Sequence, residues 1–278
     1  MSKQFYDQIT KYNIAPKKNL GQNFLTDHNI INKIVSTVKN IENRHILEIG
    51  PGVASLSRAI LAYKPYKFSC IEYDERCVNF LKEQLLPQFP NMQIYYADAL
   101  SFNVESLLTD NKKITIVANL PYNIASVLLI NWLEQIHLFD ELILMFQKEV
   151  AERICASVNT KKYGILSVLA QYLCDCNIAF NISPKCFFPA PKVESSIVVL
   201  RPKNDVSTRI QTFLQLKIFV KILFNMRRKT VFNNLKKITQ DPATILEKSG
   251  IDQNLRPENL SIENFITLIN TLKNYERQ

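Results

Sequence analysis

From residue 45 to residue 201, short apolar runs alternate with stretches whose apolar residues recur every three or four positions. The runs at 45–50, 67–73, 93–100, 114–120 and 141–146 have strand length and are rich in β-branched and aromatic residues. Between them, 55–63, 75–85, 124–135 and 148–158 carry helical spacing. Strand–helix alternation of this kind predicts an α/β fold with a mostly parallel, doubly wound sheet. Two further strand candidates, 174–183 and 194–202, flank a proline-rich loop at 184–193 with no helix between them. They predict an antiparallel closure of the sheet. After Pro202 the strand pattern stops. Residues 208–225, 226–239, 242–250 and 261–275 read as helices, with Asp241-Pro242 and Ser261 with Asn264 as start signals and Gly250 as a stop. The expected domains are 1–202, including an amino-terminal helical extension over 1–44, and a small all-helical domain over 203–278.

Composition bounds the function. The chain has 278 residues, 47% of them hydrophobic, which suffices for a substantial core. Mean hydropathy is −0.06, and no stretch approaches a membrane span. The amino terminus lacks the apolar segment of a secretory signal, so a cytoplasmic protein is expected. Six cysteines (70, 77, 155, 174, 176 and 186) contain no C-x-x-C pair, and the three histidines are far apart. No metal site is expected; Cys174-Asp175-Cys176 is too tightly spaced for a zinc knuckle, and its two cysteines, at alternating strand positions, read as packing residues in a reducing compartment. The net charge is +9. Residues 203–278 hold 13 Lys and Arg against 7 Asp and Glu, so two-thirds of the surplus lies in the last quarter. A polyanion such as nucleic acid is the natural partner for that segment.

The candidate chemistry lies at the carboxyl ends of the predicted strands, where open α/β sheets bind ligands. The first strand runs into Gly50-Pro51-Gly52, a turn that admits close backbone approach. Ser55 breaks the G-x-G-x-x-G dinucleotide pattern. Glu72 closes the second strand, 22 residues after Gly50, where a carboxylate accepts ribose hydroxyls. Asp98 closes the third and offers an acceptor for an adenine amine. Asn119-Leu120-Pro121-Tyr122 closes the fourth with an amide, backbone carbonyls and an aromatic ring. Gly50, Glu72, Asp98 and Asn119, in this order, describe a cleft for an adenosine-containing cofactor. No nucleophile–base couple accompanies them. Methyl transfer from S-adenosylmethionine needs none, because a sulfonium is already an activated leaving group. Asn119 with a neighbouring carbonyl would accept both hydrogens of an adenine N6, and Tyr122 would stack on the ring.

Five segments carry a resemblance: 18–25 (Lys18-Asn19-Leu20-Gly21-Gln22-Asn23-Phe24-Leu25), the Glu48–Gly52 turn, Asn119–Asn123, Phe187–Ser195 and Phe224–Thr230. With them the chain resembles, nearly end to end, the KsgA-type (RsmA) ribosomal RNA small-subunit adenine dimethyltransferases. The resemblance implies a Rossmann-like class I methyltransferase that dimethylates N6 of two adjacent adenosines in the 3′-terminal hairpin loop of 16S rRNA. The implied partner is a small-subunit precursor, and the implied enzyme is a monomer. It also implies that Asn23, Leu25, Gly50, Glu72, Asp98 and Asn119 contact the cofactor. Asn119, Leu120 and Tyr122 would contact the target base, with Phe187 as a second stacking surface; the residues alone equally allow Phe187 as a core plug. Ala54 stands where the family has glycine, so its methyl is expected to narrow the backbone approach and to disfavour positive φ. Lys221, Arg227, Arg228 and Lys229 are expected to contact RNA phosphates, Lys221 and Arg228 sharing one helix face. The competing readings are a large-subunit rRNA adenine methyltransferase of the antibiotic-resistance type and a non-catalytic assembly or transcription factor on the same fold.

Overall fold

The computed structural model describes residues 9–17, 20–108 and 112–276. Lys18 and Asn19 of the amino-terminal motif, and the start of the expected extension, lie outside them. A seven-stranded sheet has the order β4-β3-β2-β5-β6-β9-β7. Its strands are β2 (His45–Ile49), β3 (Lys67–Glu72), β4 (Gln93–Tyr96), β5 (Ile114–Asn119), β6 (Phe139–Gln147), β7 (Cys174–Ile182) and β9 (Ser195–Pro202). The first five pair in parallel, and β9 runs antiparallel to β6, with Gln147 opposite Ser195. Every residue of β2 is buried, and so are the first five of β5. That double-sided burial is why these strands read as unbroken apolar runs. The edge strand β7 alternates exposed and half-buried positions, as one covered face requires.

A second, two-stranded ribbon joins β1 (Phe24–Leu25) to β8 (Phe187–Phe188), pairing Leu25 with Phe187. The proline-rich segment expected to be a loop therefore includes a strand. Two residues are too few for periodicity to reveal.

Helices α1 (His28–Val35), α2 (Ser55–Ala62), α3 (Glu75–Gln84), α4 (Ala125–Glu134) and α5 (Lys148–Ile154) accompany the sheet strands. Then come α6 (Ile165–Leu173), α7 (Val206–Asn225), α8 (Val231–Leu235), α9 (Pro242–Ser249) and α10 (Ile262–Glu276). Contacts divide the chain into two compact units. One holds the described residues up to Ala151 together with Asn177–Pro202; the other holds Glu152–Cys176 and the described residues from Lys203 onward. The change at 202–203 is one of three chain crossings, and the expected α/β segment gives α6 to the helical unit. There α6 packs on α7, and Tyr163, Phe224 and Phe265 form an aromatic series with ring centroids 6.4 and 6.1 Å apart.

The expected helix over 226–239 is corrected. α7 stops at Asn225, residues 226–229 form a turn, and the Thr230 side chain accepts from Asn233 N to start α8. Helical spacing thus continues through a break, because a capping threonine can also sit inside a helix.

Candidate active site

A cavity of about 280 Å³ opens at the carboxyl edge of the parallel strands. Its walls come from residues 20–25, 48–53, 55–56, 71–74, 97–100 and 119–124. Asn23, Leu25, Gly50, Glu72, Asp98, Asn119, Leu120 and Tyr122 all line it. Residues expected separately, from four strand ends and the amino-terminal motif, are thus brought together.

Glu72 is held by backbone. Its Oε2 accepts from Gly52 N at 3.0 Å, and its Oε1 from Tyr73 N at 2.8 Å and Asp74 N at 2.9 Å. A carboxylate offers about four acceptor positions, so three backbone donors leave room for one further donor rather than two. Burial raises the Glu72 carboxyl, and the three N–H donors oppose the shift. Glu48 lies beside it on β2, with Oε2 buried and unpaired among the described residues. Burial pushes Glu48 up to about 8, and the charge of Glu72 adds to the effect.

Asp74 behaves oppositely. Although burial opposes ionisation, hydrogen bonds from Arg76 and Gln22 hold its carboxyl down to about 2. Gln22 Nε2 reaches it at 3.0 Å, tying the amino-terminal segment to the rim of the cavity. Sequence reasoning passed over Gln22 and Asp74. The available signal was Asp74 as the N-cap of α3, where its side chain accepts from Arg76 N.

The turn after β2 needs its glycines. Gly52 has φ +55°, and a Cβ there would lie 2.8 Å from the Phe24 ring. Gly50 has φ +66° and open space where a Cβ would go. Asp98 lies two residues beyond β4 rather than on it. It is exposed, and its Oδ1 accepts from Leu100 N at 2.9 Å.

At the other wall, Asn119 Nδ2 donates to the Asn23 carbonyl at 2.9 Å. That bond commits the amide nitrogen and leaves Oδ1 as the group available to accept. Gly21, with φ +64°, lies against the same loop; a Cβ would meet Asn123 Oδ1 at 2.9 Å. The Tyr122 ring is half-buried, and its hydroxyl is 2.6 Å from Ser195 Oγ.

The model of the ribosomal RNA adenine dimethylase family matches residues 14–274. The chain belongs to that family. Ribosomal RNA small subunit methyltransferase A of Wolbachia sp. subsp. Drosophila simulans (strain wRi) is 42% identical over 267 residues, covering 95% of this chain and 96% of that one. The protein of the same name from Ehrlichia ruminantium (strain Gardel) is 41% identical over 266 residues, covering 94% and 98%. The crystal structure of a dimethyladenosine transferase from Plasmodium falciparum matches with a TM-score of 0.74 at 25% identity, over 91% of this chain and 98% of that one. The fold is the Rossmann-like class I methyltransferase sheet with a helical carboxyl-terminal part, as the resemblance implies.

Two expectations for this member of the family are corrected. Phe187 is 5% exposed, sits in the hydrophobic core and does not line the cavity. That burial makes it a core plug in this structure rather than a surface open to a base. Ala54 does adopt the left-handed conformation, with φ 61° and ψ 26°. Its methyl is nevertheless buried in the core; the flanking Val53 and Ser55 line the cavity. The cost of Ala54 is backbone strain, not a narrowed cleft.

The basic residues divide as well. Lys221 on α7, and Arg228 and Lys229 in the following turn, are exposed. Because α7 ends at Asn225, Lys221 and Arg228 do not share a helix face. Arg227 is committed within its unit: Nε donates to Glu258 at 2.8 Å, and a terminal nitrogen donates to the Lys161 carbonyl at 2.6 Å. Among the described residues no group of side chains is arranged to hold a metal ion, and no helix is long and apolar enough to cross a membrane.

Proposed function

We propose that the chain transfers methyl groups from S-adenosylmethionine to adenine N6 in small-subunit ribosomal RNA. The targets are two adjacent adenosines in the 3′-terminal hairpin loop of 16S rRNA, each dimethylated during subunit maturation. The chain acts as a monomer in the cytoplasm. The observation that carries this reading is the oriented Asn119 amide, with Nδ2 on the Asn23 carbonyl and Oδ1 left to accept, at the mouth of a cavity walled by carboxylates and a glycine turn.

The cavity suits a cofactor that carries an adenosine and positive charge. Glu72 keeps one acceptor position for a ribose hydroxyl, and Asp98 offers an acceptor to the adenine amine. Gly50 and Gly52 leave backbone close to the ligand. When bound, the cofactor supplies a methyl group on a sulfonium. The remaining work belongs to the chain. Asn119 Oδ1 and the Leu120 carbonyl accept the two N6 hydrogens, which draws the nitrogen lone pair out of conjugation with the ring. Tyr122 stacks on the extruded base and fixes its plane. The methylated nitrogen becomes cationic, so its proton leaves to water without a dedicated base. A loop adenosine is already partly unstacked, which lowers the cost of extrusion. Lys221, Arg228 and Lys229 hold phosphates without reading sequence.

Labelled S-adenosylmethionine incubated with the protein and unmethylated small subunits tests the reading. Label should appear on adenines of the small-subunit RNA, and mapping should locate it in the terminal hairpin loop. Label in large-subunit RNA, or none, overturns it. Asn119→Ala should lower kcat by about 10²–10³-fold while RNA still binds.

A further inference from the structure

We propose that Ser195 is a positioning residue, holding the Tyr122 ring in the plane in which it receives the target base. This rests on the role given to Tyr122 above. Tyr122 belongs to the connection between β5 and α4, whose turn is closed by backbone: Ile124 N and Ala125 N both donate to the Pro121 carbonyl at 3.1 Å. Those bonds fix the turn but not the side-chain torsions of the tyrosine. The bond that does reach the end of the ring is the 2.6 Å contact between its hydroxyl and Ser195 Oγ.

Ser195 is well placed to act as an anchor. It is fully buried at the start of β9, opposite Gln147. Both of its neighbours are fixed. Glu194 accepts from Lys148 through its carbonyl at 2.9 Å and through its carboxylate at 2.6 Å, and Ser196 Oγ donates to Asn181 at 2.8 Å. The anchor is therefore built into an antiparallel strand inside the sheet, while the ring it holds belongs to a loop on a parallel strand. Burial raises the Tyr122 phenol, so the O–H stays in place at physiological pH. The segment 187–195 stood out in the sequence for its two phenylalanines. The structure moves its contribution to the site from Phe187, which packs in the core, to Ser195 at its far end.

A double-mutant cycle on full-length protein tests this, with unmethylated small subunits and saturating cofactor. Ser195→Ala and Tyr122→Phe remove the same bond from opposite sides, and Tyr122→Phe leaves the buried strand intact should Ser195→Ala fold poorly. Each should lower kcat about three- to tenfold, and the double variant should be no slower than the slower single one. Cofactor affinity, measured by calorimetry, should not move. Independent losses that multiply in the double variant overturn the inference, as does Ser195→Ala with wild-type kcat. A wild-type chain that transfers no methyl to the subunits is a different failure: it removes the proposed function and this inference with it.

Discussion

The carboxyl edge of the sheet and the turn at 226–229 both carry polar residues that the proposed function assigns to ligands, but they are built in opposite ways. At the sheet edge the polar groups are buried or half-buried and bonded before any ligand arrives: Glu72 to three backbone amides, Asn119 to Asn23, and Tyr122 to Ser195. In the turn, Arg228 and Lys229 stand exposed, and only Arg227 is drawn into its unit by Glu258. Buried, bonded groups fix geometry and are tuned by desolvation. Exposed charges supply attraction that salt can screen. The cleft should therefore respond to shape and pH, and the turn to ionic strength.

The largest effect should come from Gly52→Ala. The new Cβ would lie 2.8 Å from the Phe24 ring, at a residue with φ +55°. Phe24 is buried in β1, so its ring has little room to retreat. We expect cofactor affinity, read by calorimetry, to fall at least about tenfold, because Gly52 and Phe24 both line the cavity and relieving their clash displaces its wall. RNA affinity should stay within twofold, about 0.4 kcal/mol. Wild-type cofactor binding in this variant would show that the turn is not a rigid part of the cleft.

The turn is tested from the other side. Arg228→Glu with Lys229→Glu should weaken RNA binding about tenfold at moderate salt and flatten the salt dependence by about one to two phosphate contacts, with cofactor affinity unchanged. Arg227→Ala should separate from that pair. It removes bonds to Glu258 and the Lys161 carbonyl, so it should lower stability by about 1 kcal/mol, seen as a lower melting temperature, while the salt slope changes less. Equal salt slopes for the two variants would dissolve the distinction between structural and exposed arginines.

This difference also explains what the sequence made legible. Glu72 and Asn119 end strands whose apolar runs are unmistakable, so counting strands brings their side chains to one edge. The turn at 226–229 carries a helical pattern because apolar spacing continues on both sides and Thr230 reveals itself as a cap only through its bond to Asn233 N. Phe187 was misplaced for a related reason: a two-residue strand has no period, and its pairing with Leu25 joins positions over 160 residues apart. Ser195 was visible only as part of a motif, because nothing in the sequence pairs it with Tyr122.

A smaller effect should appear in the pH dependence of the ligand-free protein. Glu48 has its folded pKa raised to about 8 by burial, above an ordinary value of 4.5. The folded protein keeps this proton where the unfolded chain has lost it. Its contribution to stability is complete below about pH 4.5 and is lost as pH rises through about 8. Glu72 shifts in the same direction. Asp74 runs the other way: its contribution is present above about 3.8 and is lost as pH falls toward 2. Melting temperatures should thus decline from pH 6 to pH 9, and Glu48→Gln should flatten that decline. An unchanged slope in Glu48→Gln would mean that the carboxyl is already ionised in the fold.

The smallest effect separates the cleft from the backbone that carries it. Ala54 occupies the left-handed region at φ 61°, where a Cβ is unfavourable, yet its methyl points into the core and not into the cavity. Ala54→Gly relieves the strain but loses a small buried methyl and frees the unfolded chain. Relief of about 1–2 kcal/mol against an opposing loss of roughly half that leaves a net gain of about 0.5–1 kcal/mol. That corresponds to a rise in melting temperature of one to three degrees, by the usual scaling for about 250 residues. Cofactor affinity should not change. If instead Ala54→Gly tightens cofactor binding by about tenfold or more, the methyl does reach the ligand, and the cleft ends one residue deeper than its walls place it.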